Sequence, residues 1–211
     1  MGLNKTILHL CADTGSDSKP YKDAGYDVIR VTKDMGVENY GHGKVYEPPK
    51  EVYGIIANPV CTEFSIARTG GRARNTEEGM VLVKECQRIV AECNPHFWMI
   101  ENPATGKLKD YLGKPTMIYE PWHYGSPWTK KTALWGKFNI PPRKYFKWED
   151  VPKIPELYIR PGRKKPSLAF LHKSARQFIP EFWELAMSES DMEFRSLCSQ
   201  KFAQAFYEAN Q

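Results

Sequence analysis

Val52-Tyr53-Gly54-Ile55-Ile56-Ala57-Asn58-Pro59-Val60-Cys61-Thr62-Glu63-Phe64-Ser65 is the stretch on which the reading of this 211-residue chain turns. Its first six residues form a strand-like apolar run that Asn-Pro stops, the pattern of a buried parallel strand ending at a turn. In open α/β sheets ligands bind beyond the carboxyl ends of such strands, so Cys61 is expected at the mouth of a site. A second apolar run, Phe97-Trp98-Met99-Ile100, ends in Glu101-Asn102-Pro103 and should present a carboxylate at the same sheet edge. A thiol beside a carboxyl acid suits addition to an electron-poor ring: sulfur attacks a carbon while the acid supports the adjacent ring nitrogen as charge builds there.

Outward from this core, Thr6 to Ala12 reads as a first strand and Asp13-Thr14-Gly15-Ser16 as the turn into a helix through Tyr21 to Ala24. Asp27 to Val31 follows as a second strand, completing a βαβ unit of the nucleotide-binding kind. Asn75 and Glu78 form a helix start, and Leu82, Cys86, Ile89, Val90 and Cys93 recur at helical spacing before the Phe97 strand. Thr116 to Glu120 is a further strand. The tail predicts helices near Pro180 to Met187 and Met192 to Ala209. Ser190 and Glu193 form a capping box there, and Phe194, Leu197, Cys198, Phe202, Ala205 and Ala209 make an apolar stripe. Alternating strands and helices predict an α/β protein of one domain, 1–211, with a helical tail over 178–209.

The five cysteines show no paired spacing and no zinc-type clustering with histidine, which argues for free thiols in a reducing setting. No apolar run approaches the roughly 18 residues a membrane span needs, so a soluble, cytoplasmic protein is expected. The formal net charge is +5, unevenly spread. From Lys130 to Arg176 thirteen Lys or Arg stand against three acids, Glu149, Asp150 and Glu156. Tyr145, Phe146, Trp148 and Tyr158 interleave with these charges, as in surfaces that stack bases and hold phosphates. Residues 137–166 carry six prolines and read as an ordered basic flap, too small for an independent domain. Arg68 to Arg74, Arg-Thr-Gly-Gly-Arg-Ala-Arg, reads as a surface loop beside the thiol.

The two loops resemble those of the DNA cytosine-5 methyltransferases, whose Pro-Cys loop and Glu-Asn-Val strand end carry the nucleophile and the acid. The chain looks closest to a short, phage-type branch with a Pro-Pro-Cys-Thr-Glu-Phe-Ser loop and a Glu-Asn-Pro-x-Thr-Gly-x-Leu-Lys turn. Here these read Pro59-Val60-Cys61-Thr62-Glu63-Phe64-Ser65 and Glu101-Asn102-Pro103-Ala104-Thr105-Gly106-Lys107-Leu108-Lys109. The resemblance implies a Rossmann-like class I methyltransferase fold, a mostly parallel sheet flanked by helices, acting on DNA or a pyrimidine nucleotide in a bacterial or phage-infected cell. By the same resemblance Cys61 attacks carbon 6, Glu101 assists at the ring nitrogen, and Asn102 orients the loop or the base. S-adenosylmethionine would meet Cys11, Ala12, Asp13, Thr14, Gly15, Asp34, Asn58 and Pro59. Nucleic acid would meet Ser65, Arg68, Arg72, Arg74, Lys130, Lys131, Arg163, Lys164 and Lys165.

Three departures accompany this resemblance. The family's Phe-x-Gly-x-Gly cofactor loop survives only as Gly15, with Cys11 and Asp13 at the other key positions. After the Tyr124-Gly125-Ser126-Pro127 turn, Gln-x-Arg-x-Arg is replaced by Trp128-Thr129-Lys130-Lys131-Thr132, which lacks arginine's bidentate fork. The closing Gly-Asn-Ser element is not recognisable. Three other readings stay open: a divergent homologue that binds nucleic acid without catalysis, an enzyme with another one-carbon donor, and an amino-methyltransferase whose Asn-Pro loop holds an exocyclic amine. His123 reads as either a packed strand-end residue or a catalytic one.

Overall fold

Short apolar runs that must be buried on both faces build the centre of the molecule. The computed structural model describes residues 5–12, 14–31, 46–66, 73–179 and 191–211. Strands β1 (Thr6–Leu10), β2 (Asp27–Val31), β3 (Gly54–Ala57), β4 (Phe97–Pro103), β5 (Met117–Tyr119) and β6 (Thr132–Lys137) form one sheet in the order β2-β1-β3-β4-β6-β5. β2, β1, β3 and β4 pair in parallel, and β6 runs antiparallel to both β4 and β5. The sheet is thus mixed and mostly parallel, with helices on both faces, as the alternating sequence pattern predicts, and a short helix α3 (Lys109–Leu112) follows β4.

Side chains alternate between two cores. Leu8, Leu10, Ile55, Ala57 and Ile100 pack on one face against Met80, Val83, Cys86 and Ile89 of α2 (Thr76–Cys93). Ile7, Ile56, Phe97 and Met99 pack on the other against Tyr21 of α1 (Lys19–Asp23) and Phe202 and Phe206 of α5 (Gln200–Ala209). Between β1 and β3 the chain order reverses direction across the sheet, because β2 lies on one side of β1 and β3 on the other. Such a switch point opens a crevice at the strands' carboxyl ends, and the two loops that leave β1 and β3 there are the glycine turn and the Cys61 loop.

Strand β6 has no counterpart in the sequence-based expectation. Its six residues lie between a basic run and a proline-rich one, and a reversed strand of this length gives little periodic signal. Gly136 permits it: at φ +146° its backbone approaches β4 so closely that a Cβ would stand 2.1 Å from the Trp98 carbonyl oxygen. The tail also differs from expectation. Met192 to Ala209 is not one helix but two, α4 (Asp191–Ser196) and α5, separated at Leu197–Ser199. Ser199 caps α5 by accepting from the Phe202 amide, which stops one helix and starts the next while the apolar spacing runs on. Pro180 to Met187 and Ser190 of the capping box lie outside the described residues.

A third apolar cluster gives the proline-rich segment its anchor. Leu157, Leu168 and Leu171 bury against Trp128, Ala175 and Ile179, and against Phe194 and Leu197 of the tail. Backbone pairing of Thr129 with Pro166 and Leu168 ties the end of that segment to the chain entering β6. We expect Gly136→Ala to lower unfolding free energy by at least about 2 kcal/mol, since it combines a strained φ with a backbone clash. Urea denaturation checks this, and a variant within error of the parent protein would contradict the close packing of β6 on β4.

Candidate active site

The Cys61 loop is held by the residues of its own motif. The Cys61 carbonyl accepts from the Phe64 and Ser65 amides at 3.0 and 2.8 Å, closing a tight turn directly after β3. Phe64 is fully buried and presses on Gly79 of α2, where a Cβ would stand 2.9 Å from its ring. Its carbonyl accepts from the Lys107 amide at 2.9 Å, joining this loop to the one that follows β4. Glu63, also buried, accepts from the backbone of Asn75, the residue that caps α2. From β4, the buried Asn102 donates its amide to the Pro59 carbonyl at 3.0 Å. Asn102 therefore ties β4 to the Cys61 loop, and its Oδ1 has no hydrogen-bond partner among the described residues.

Glu101 precedes Asn102 and so faces the opposite side of the sheet. Its Oε2 accepts from the Asn58 amide at 3.5 Å, while Asn58 Oδ1 meets His9 Nε2 at 2.8 Å. His9 Nδ1 in turn meets the Ser18 hydroxyl at 2.7 Å. Glu101 keeps partial exposure, yet the protein packed round it pushes its carboxyl above the ordinary range. The Asp17 carboxylate adds to that rise; Lys130 and the Asn58 amide oppose it. Burial also pushes the Cys61 thiol up, Glu101 raises it further, and Lys130 pulls it down. The thiol and the carboxyl thus sense each other, and one ammonium acts on both.

Lys130 was expected on a phosphate-binding surface. Its amine instead donates to the carbonyls of Ser196 and Leu197 at 2.8 and 3.0 Å, where it ties down the end of α4 beside the thiol and carboxyl. The break between α4 and α5 fills the neighbouring space. Cys198 donates its amide to Ser16 Oγ at 3.0 Å, Gln200 donates to the Ser16 carbonyl at 2.9 Å, and Ser199 and Ser126 share a hydroxyl contact of 2.7 Å. Lys201 donates to the Gly125 carbonyl at 2.9 Å. The tail therefore joins the glycine turn to the Tyr-Gly-Ser-Pro turn, although no closing motif is legible in its sequence.

Of the expected cofactor residues, Cys11, Ala12, Thr14 and Gly15 form the turn after β1, with Cys11 at φ 54° and Gly15 at φ 73°. Arg30 of β2 lies against this turn and donates to the Ala12 carbonyl at 3.1 Å. Asn58 and Pro59 leave β3 beside it, whereas Asp13 and Asp34 lie outside the described residues. Among the expected nucleic-acid contacts, Arg68 and Arg72 are likewise outside, and the exposed Arg74 donates to the Ser65 carbonyl at 2.8 Å. Lys131, Arg163 and Lys164 are exposed. Lys165 lies 4.0 Å over the Trp122 ring and 5.2 Å from that of Trp148. His123 is packed: its Nδ1 accepts from the Glu120 amide, and burial with Arg143 and Lys165 nearby lowers its pKa to about 4. Sequence reasoning missed His9, Asp17 and Ser18; the one signal for His9 is a polar residue inside the otherwise apolar β1.

The fold and this edge define an open α/β protein with a thiol and a carboxyl at adjacent strand ends, next to the switch-point turn. No family model matches the chain. It is 30% identical over 104 residues to the "Probable DNA (cytosine-5)-methyltransferase" of Frog virus 3 (isolate Goorha). That match covers 41% of this chain and 47% of the viral protein, so the chain spans just under half the length of the curated relative it matches. A solved prophage-encoded protein of E. coli, described as a candidate DNA modification methyltransferase, is 16% identical with a TM-score of 0.42, over 62% of this chain and 45% of that one. The viral match makes this chain a distant homologue of DNA cytosine-5 methyltransferases.

The opposed influences on Cys61 are measurable without substrate. Glu101→Gln should lower the midpoint of its pH-dependent alkylation by iodoacetamide, and Lys130→Met should raise it. Site-resolved mass spectrometry checks both, and unchanged midpoints in folded variants would mean that the three groups do not share a field. Glu101 also links folding to pH. Its folded-state pKa is raised, so its contribution is most favourable below the ordinary carboxylate range and is lost as pH rises through the folded value. Glu101→Gln should therefore stabilise the protein at pH 8, by on the order of 1 kcal/mol or less, with the gain vanishing in acid.

Proposed function

We propose that this chain methylates carbon 5 of cytosine in DNA, using Cys61 as nucleophile and S-adenosylmethionine as donor. The observation that carries this reading is the placement of Cys61 and Glu101 at the carboxyl ends of adjacent strands, in electrostatic contact and with Asn102 fixing the loop between them. The distant homology to a viral protein named for the same reaction supports it.

The geometry accounts for the steps assigned to this chain's own groups. Burial favours the acid form of Glu101, which can pass its proton to ring nitrogen 3 as the base enters. Sulfur of Cys61 bonds to carbon 6 while the thiol proton leaves to solvent, and carbon 5 becomes electron-rich. The raised thiol keeps the resting nucleophile protonated, and Lys130 offsets part of that cost. S-adenosylmethionine, when bound, supplies an electrophilic methyl group. Loss of the carbon-5 proton expels sulfur from carbon 6, and nitrogen 3 returns its proton to Glu101. A base in duplex DNA must leave the stack to reach this edge.

The donor's charge suits the edge. The buried Asp17 gives it acidic character toward a sulfonium and an amine, and the turn from Cys11 to Gly15 would hold the donor. Asn58 is engaged with both His9 and Glu101, which leaves its carboxamide poorly placed for the exocyclic amine that amino-methylation requires. Exposed Phe146 and Tyr158, with Arg163 and Lys164, fit the flap to stack bases and neutralise phosphates.

DNA carrying 5-fluorocytosine tests the reading, because fluorine at carbon 5 cannot leave as the proton does and the sulfur–carbon bond persists. With donor present, a covalent adduct should form and map to Cys61. It should be absent in Cys61→Ser, whose turnover on ordinary DNA should fall more than about a thousandfold. No adduct and no 5-methylcytosine on any DNA tested would reject carbon-5 methyl transfer.

A further inference from the structure

His9 is 1% exposed inside β1, on the sheet face it shares with Ile7, between Arg30 of β2 and Ile56 of β3. A polar ring costs stability there unless both nitrogens are bonded, and both are: Nε2 to Asn58 Oδ1 at 2.8 Å, Nδ1 to Ser18 Oγ at 2.7 Å. Ser18 Oγ also lies 3.3 Å from the Gly15 carbonyl. A continuous line of polar contacts therefore runs from the turn after β1, through Ser18, His9 and Asn58, to Glu101.

The direction of each bond follows from the donors available. A carboxamide has an accepting end and a donating end, and Asn58 must point one at His9 and the other at Glu101. With its oxygen toward His9, the imidazole must carry hydrogen on Nε2, and the Asn58 NH2 group is presented to Glu101 Oε2. The opposite rotation would present NH2 to Nε2 and would require hydrogen on Nδ1 and the Glu101 proton on Oε2, so the state of the His9 ring reports which arrangement holds. Occupying Oε2 as an acceptor leaves Oε1 as the oxygen that carries the acid proton.

Resting on the carbon-5 reading, we propose that His9 is a positioning residue: through Asn58 it selects which oxygen of Glu101 bears the proton for the base, while Nδ1, accepting from the Ser18 hydroxyl at the start of α1, holds the ring in place. It touches neither base nor donor. Its effect is on the acid's orientation and on the balance between its two forms. The other titratable or charged groups acting on Glu101 come from five elements: Cys61 from the loop after β3, Asp17 from the turn before α1, Lys130 from the run into β6, and Tyr119 of β5 with Cys198 of the tail beyond them.

The experiment combines nitrogen NMR of the His9 ring with carbon NMR of the Glu101 carboxyl, assigned by its loss in Glu101→Gln. In the wild-type protein Nε2 should carry hydrogen. His9→Leu should move the Glu101 midpoint upward and lower kcat by roughly tenfold to a hundredfold, with the donor KM within about twofold. His9→Gln, whose side-chain NH2 occupies the place of Nε2, should restore both. An unprotonated Nε2 in the wild-type protein overturns the proposal, as does an unmoved Glu101 midpoint in folded His9→Leu. If wild-type protein transfers no methyl group, ring state and carboxyl titration still decide the relay, so the two readings fail separately. Should His9→Leu not fold, the wild-type ring state and Ser18→Ala, expected to shift the His9 ring signals without unfolding, remain decisive.

Discussion

The Asn58 carboxamide bridges three strands, and the chemistry of the edge depends on that bridge. β1, β3 and β4 present His9, Asn58 and Glu101 on one side of the sheet because side chains alternate and the parallel registers are in step. A slip of one residue in β3 would turn Asn58 toward the α2 core and leave His9 and Glu101 without their shared partner. The apolar positions of the same strands oppose such a slip. Ile55 and Ala57 belong to the α2 face and Ile56 to the α1–α5 face, so the register that fills both cores is the one that completes the polar line.

Holding an acid and a thiol at one edge has an electrostatic cost, and the surrounding charges set its size. Burial and the nearby Asp17 push Glu101 toward its neutral form, the form an acid needs in order to donate. The same burial, with Glu101 nearby, pushes the Cys61 thiol toward its protonated form. Lys130 is the counterweight to both effects, and its place is fixed by two carbonyls at the end of α4. The tail thus supplies packing for the sheet and also decides how far the ammonium stands from the thiol. Lysine fits this role, because a compact point charge on a flexible stem can satisfy two carbonyls and still act on its neighbours through space.

Much of the centre was legible because buried parallel strands write themselves as continuous apolar runs. Gly54–Ala57 and Phe97–Ile100 needed no partner information, and the Asn-Pro and Glu-Asn-Pro stops located the edge. Asn75 as the cap of α2 was legible from its spacing to Glu78. What depended on distant partners was not. β6 exists because Gly136 lets its backbone approach Trp98, a contact no local pattern encodes. The break at Leu197–Ser199 is hidden because Phe194, Leu197 and Cys198 keep helical spacing, while Ser199 forms its cap with help from Ser126 far away in sequence.

The same distinction explains how the site was only partly readable. Cys61, Glu101 and Asn102 announce themselves by residue type at strand ends, whereas His9 differs from a satisfied core histidine only by what lies at the far side of Asn58. A buried polar residue has to find partners, and in β1 the partners within reach are the residue that leaves β3 and the residue that enters α1. Packing alone would have admitted a leucine at this position, next to Leu8 and Leu10. The ring in its place links the residue that enters α1, through Asn58, to the carboxyl at the end of β4, two strands away.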